Sequence, residues 1–208
     1  LLTSLFFIWA VPNNMTDTML AAFKRIMSLT DTQTAWIQVV CYLLGYGCLA
    51  IPAAVFIKKR TFKSGVLVGL GLCIFGSMLF YPAMLANNIS SPLSFSIYLF
   101  ALFVLFAGLS FLETSTNSYV YALGSPQTAT RRLNFAQSFN PFGALTGVLL
   151  SQVFVLSQLN TMTASERDVL SGSELVAIQN SELNAVSAAY LVLGLVMLVI
   201  FLLILFTK

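Results

Sequence analysis

Residues 182–206 read ELNAVSAAYLVLGLVMLVIFLLILF, and from Leu183 to Phe206 the run contains no charged side chain. A helix crosses the hydrocarbon core of a bilayer with about 20 apolar residues, so this stretch is long enough to span a membrane. Five further stretches of the same kind precede it. They run at about 1–27, 32–57, 64–86, 92–123 and 133–159. The runs exceed the roughly 10 residues of a barrel strand and lack its strict alternation. An all-α, polytopic membrane protein follows, a bundle of six transmembrane helices in one domain over residues 1–208.

The composition agrees. Hydrophobic residues make up 58% of the 208 and charged residues 8%, against about 25% charged in ordinary soluble domains. So few charges cannot cover a water-facing surface. That excludes a soluble enzyme, a nucleic-acid binder and a disordered chain. The bilayer itself is the expected partner. No catalytic triad, phosphate loop or metal-ligand cluster is present in the sequence, and neither enzyme activity nor a cofactor or metal is expected. Cys41, Cys48 and Cys73 sit in apolar runs and read as packing residues. With no histidine in the chain, any proton handled here must be carried by carboxylates.

Charge alternates between the connecting segments. Lys58, Lys59, Arg60, Lys63, Arg131, Arg132 and Lys208 fall on one side of the predicted bundle, and Lys24, Arg25 and Arg167 on the other. The positive-inside rule places the richer side, with both ends of the chain, in the cytoplasm. The expected location is a cell inner (cytoplasmic) membrane.

Charges inside a spanning segment cost about 2.5–3.5 kcal/mol on insertion scales. Asp17 lies in the polar half of the first segment and Glu113 near the middle of the fourth, while Glu182 starts the sixth and is expected to reach the interface. Burial of a carboxyl disfavours its charged form, so Asp17 and Glu113 are the candidates for proton binding and release. Polar neighbours share their faces. Asn13 and Asn14 precede Asp17 by about one turn, and Asn117 follows Glu113 by one turn. Asn134, Gln137 and Asn140 recur at three-residue steps in the fifth segment. Amide and carboxyl groups in such stripes suit a polyhydroxylated ligand; interhelical hydrogen bonding is the competing use. Trp9 and Trp36 read as sugar-stacking platforms or as helix-end anchors. Gly45, Gly47, Gly65 and Gly69 read as close-packing positions.

Three strings carry a resemblance: SLFFIWAVPNNMTDTML (4–20), FAGLSFLETSTNSYVYALG (106–124) and RRLNFAQSFNPFGAL (131–145). Together they resemble the L-fucose:proton symporter family, the fucose/glucose/galactose sugar porters of the major facilitator superfamily. The resemblance implies a twelve-helix fold of two six-helix halves, with this chain as the N-terminal half. It implies a sugar cavity between the halves and proton-coupled symport by alternating access, most readily of L-fucose. It assigns proton coupling to Asp17 and Glu113, and sugar contact to Asn14, Gln137 and Asn140, with Asn117 beside them. The expected partners are a small sugar, a proton and the C-terminal half or a second copy. The wider superfamily's usual loop between helices two and three is replaced here by AVFIKKRTFK, with Ala54 and Lys58 at the first Gly and the Asp positions, a departure the resemblance implies for the fucose symporter group as well. The alternatives are a glucose, galactose or amino-sugar transporter of the same family, and a half-size protein that acts as a homodimer.

Overall fold

Helix starts follow the capping chemistry in the sequence. Thr30 and Gln33 form a reciprocal capping box, as do Ser171 and Glu174, and Thr61 accepts from the backbone of Ser64. Such caps satisfy N–H groups that have no partner within the helix. The computed structural model describes residues 2–163, 166–167 and 169–207; Lys208 of the charge reading lies outside the described residues. Six long helical rods result: α1 (Leu2–Ile26), α2 (Asp31–Lys59), α3 (Phe62–Ala86), α4 (Ser91–Ala122), α5 (Pro126–Gln158) and α6 (Gly172–Phe206). No strand occurs among the described residues. The Ser171–Glu174 box starts α6 at Gly172, ahead of Glu182, and Arg131 and Arg132 sit inside α5.

Five of the rods, α2 to α6, are long and apolar enough to cross a membrane. The first is more polar because of Asn13, Asn14 and Asp17. Its 25 residues give about 37 Å of helix, enough to cross a core of about 30 Å. The bundle shelters it: Leu5, Phe6, Met19 and Ile26 are fully buried, and α1 packs against α5, α4, α6 and α2. Trp9 is buried too, with its ring 4.7 Å from that of Phe6. It is a packing residue here, neither a platform nor an end anchor.

Proline and glycine shape the rods. Pro82 and Pro141 have no N–H for the carbonyl four residues back, and short breaks appear at Leu79 in α3 and at Ser138–Phe139 in α5. α1 runs through Pro12 without a break. In α2, Val39–Cys48 is π-helical. The α3–α4 crossing is a backbone-to-backbone contact. A Cβ on Gly69 would lie 2.6 Å from Leu112 N, and one on Gly108 would lie 2.6 Å from Cys73 N.

The chain ends of the bundle are tied by polar groups. Lys63 donates to the carbonyls of Leu205 (3.0 Å) and Thr207 (2.5 Å) at the end of α6. Arg132 donates to Tyr121 O in the last turn of α4 (3.1 Å) and to Ser125 O just beyond it (3.0 Å). Cations suit these carbonyl-rich helix ends. At the opposite end Glu182 is fully buried. Arg167, 3% exposed, holds it in a two-pronged ion pair at 2.5 and 2.9 Å. Asn160 N–H also donates to Glu182 (2.9 Å), and Arg25 of α1 donates to the carbonyls of Asn160 and Met162. This cluster straps the long connecting segment onto α1 and α6.

Two predictions follow from these contacts. Gly69→Val pushes atoms into the α4 backbone and is expected to destabilise the bundle by about 1–3 kcal/mol. Gly71→Ala, with nothing within 4 Å of its added Cβ, is expected to be neutral; thermal unfolding in detergent checks both. Glu182→Leu leaves Arg167 buried without a counter-charge, an expected cost of about 3–5 kcal/mol. Adding Arg167→Met is expected to restore most of it in the same assay.

Candidate functional site

The polar residues of α1, α4 and α5 form two clusters. The first surrounds Asp17. Its carboxylate accepts a hydrogen bond from the Tyr42 hydroxyl of α2, and Asn13 Oδ1 is a longer acceptor for the same hydroxyl at 3.4 Å. A shallow crevice between α1 and α2, lined by Asp17, Leu20, Ile37, Cys41 and Tyr42, opens there. The preceding residue, Thr16, turns its hydroxyl the other way. Its hydroxyl meets the buried Tyr190 hydroxyl of α6 at 2.7 Å and donates to Pro12 O at 2.8 Å. Asp17 is thus the exposed member of a polar girdle around the middle of α1. Asn14 is half-buried, and its amide donates to Ala10 O at 2.8 Å. That uses one of its two N–H donors on its own helix and leaves the other, with the carbonyl oxygen, for a ligand.

The second cluster joins α4 to α5. Glu113 is partly buried, and Asn117 interacts with its carboxyl from one turn along α4. Gln137 Nε2 of α5 donates to Asn117 Oδ1 at 3.3 Å. A continuous polar path therefore runs from the Glu113 carboxyl through one amide to the next helix. Gln137 ends one α-helical part of α5 and Asn140 begins the next. The break that Pro141 imposes lies between them, so these two side chains flank an irregular turn. Irregular backbone at membrane depth is tolerated where it lines a cavity or is buried in protein.

Asp17 and Glu113 share one property. The ion pairs among the described residues are Lys24–Asp31 and Arg167–Glu182, and neither carboxyl takes part in them. Among the described residues no group of three or more His, Cys, Asp and Glu is placed to hold a metal. A groove of about 350 Å³ lies elsewhere, between α1, α5 and α6. Its walls include Phe7, Val11, Leu150, Phe154 and Val196, and none of the six candidate residues. Thr146, Gln158, Ser181 and Asn184 also line it, so the wall is mostly apolar with a few hydrogen-bonding side chains.

Tyr42 escaped the reading of the sequence. Tyrosine among apolar residues is routine, and its link to Asp17 is made across two helices. The signal available was the glycine pair Gly45 and Gly47 just after it, which marks a distorted or closely packed helix.

No family model matches the chain. It is nonetheless 40% identical to the L-fucose-proton symporter of Haemophilus influenzae, over 98% of this chain and 47% of that protein. It is 32% identical to the glucose/galactose transporter of Brucella abortus, over 93% of this chain and 42% of that protein. The crystal structure of the major facilitator superfamily transporter FucP in its outward conformation superposes with a TM-score of 0.84 at 37% identity, covering all of this chain and 48% of that one. The chain spans about half the length of the relatives it matches. With a shared helical fold and this identity over its whole length, the chain belongs to the fucose/glucose/galactose porters of the major facilitator superfamily.

Proposed function

We propose that the chain is the N-terminal six-helix half of a sugar:proton symporter of the inner (cytoplasmic) membrane, with L-fucose as substrate. In this reading Asp17 and Glu113 bind and release the proton. Asn14, Asn117, Gln137 and Asn140 offer donors and acceptors to sugar hydroxyls. A second six-helix half, the C-terminal one or a second copy, completes the cavity. The basic residues on the Lys58–Lys63 side face the cytoplasm.

The observation that carries the reading is the pair of carboxyls without cationic partners, Glu113 being joined through Asn117 to the Gln137 amide. Protonation from the outside neutralises a carboxyl that the membrane disfavours as an anion. The neutral carboxyl then donates a hydrogen bond where the anion only accepts, which rearranges the amides that meet the sugar. Proton and sugar must favour each other by the same factor, because binding linkage is reciprocal. Rocking of the two halves about the loaded site releases both on the other side. The identity to a glucose/galactose transporter over 93% of the chain favours a second reading with one of those sugars as substrate, and a competition panel separates the two.

In cells making the full-length protein, Glu113→Gln is expected to reduce proton-driven accumulation of L-fucose by about tenfold or more, in line with coupling factors of this kind. Accumulation at the wild-type level would contradict the role. Gln137→Ala removes one neutral hydrogen-bonding partner from the sugar. It is expected to weaken sugar binding by about 2–10-fold, read by equilibrium binding to purified protein.

A further inference from the structure

The hydroxyl on Asp17 comes from a distorted part of α2. Tyr42 lies inside the π-helical stretch Val39–Cys48, and π-helical turns are rare and concentrate at functional sites. Here the distortion is anchored. Ser110 of α4 donates to the Tyr46 carbonyl at 2.8 Å, which gives a displaced backbone oxygen a partner. Gly45 lets α2 approach α4 so closely that a Cβ there would lie 3.0 Å from Phe106 Cβ and 3.1 Å from Phe103 O. The buried Phe106 ring meets the Tyr42 ring edge-on, with centroids 5.1 Å apart and planes at 78°. Backbone and ring are thus both held by α4, and the hydroxyl is aimed at α1.

We propose that Tyr42 is a positioning residue for proton binding at Asp17: by donating to the ionised carboxylate it sets the pH range over which proton and sugar bind together. This rests on the coupling reading above and adds to it a tuning group on a third helix. A donor to the charged form favours that form, so removing it favours the protonated acid. Other titratable groups around Asp17 are few. Cys41 joins Tyr42 on α2, and Tyr190 faces it from α6. The charged residue of α4 is Glu113, and those of α5 are Arg131 and Arg132, the latter engaged at the end of α4.

The test is L-fucose binding to purified full-length protein, measured from acidic to alkaline pH, for the wild type, Tyr42→Phe, Asp17→Asn and the double variant. Wild-type binding is expected to weaken as pH rises. Tyr42→Phe keeps the ring against Phe106 and is expected to move the midpoint about one pH unit toward alkaline, a tenfold gain in proton affinity. In the Asp17→Asn background it is expected to move nothing. Ser110→Ala, which loosens the π-helical stretch without removing the hydroxyl, is expected to shift the midpoint the same way by less. Wild-type binding that ignores pH overturns the coupling reading and this proposal with it. A pH-dependent wild type whose midpoint is unmoved in Tyr42→Phe overturns the role of Tyr42 alone. A Tyr42→Phe shift that persists with Asn at position 17 overturns its assignment to Asp17.

Discussion

A hydrocarbon layer offers no water to a carboxyl group, and the arrangement of this bundle follows from that constraint. Each polar side chain at membrane depth must meet another helix or a wet cavity. Asp17 and Glu113 ride on α1 and α4, which contribute much of the buried core. Their polar faces turn instead toward α2 and α5, where Tyr42 and Gln137 lie. Those flanking helices leave large apolar side chains such as Leu43, Ile51, Phe142 and Leu145 exposed. The charged groups that do find partners, Arg167 with Glu182 and Lys24 with Asp31, lie toward one end of the bundle. Asp17, exposed, and Glu113, partly buried, are left without a cation.

Backbone irregularity collects at the same places. The π-helical turns of α2 deliver Tyr42, and the Pro141 break in α5 separates Gln137 from Asn140. Both distortions loosen the regular hydrogen-bond ladder beside polar groups, where freed carbonyls can be answered. Away from them the helices are held by close contact. Gly69, Gly76 and Gly108 bring the α3 and α4 backbones together without side chains between them. A rigid α3–α4 pair beside distorted α2 and α5 gives one firm side and two helices with room to adjust.

The membrane character and the helical bundle were legible in the sequence because hydrocarbon filters composition so severely. A single Glu in a run such as FAGLSFLETSTNSYV stands out against its neighbours. Periodicity also placed Asn117 on the face of Glu113, and the structure joins Asn117 to Gln137. What escaped was tertiary. The buried pairing of Glu182 went unseen because its partner Arg167 comes from a connecting segment that hydropathy cannot place. Trp9 read as a platform or anchor, yet packs inside against Phe6. The start of α6 was set by a four-residue capping box that apolar periodicity does not register. Tyr42 was hidden because a π-helical stretch breaks the spacing on which face assignments rest.

Entry of a proton with the sugar, as proposed, is read by recording external pH in a weakly buffered suspension of de-energised cells making the full-length protein, as L-fucose is added. The account predicts an alkaline shift with L-fucose that is absent from cells lacking the protein. An unchanged pH with L-fucose, glucose and galactose alike, with the protein demonstrably in the membrane, would contradict it.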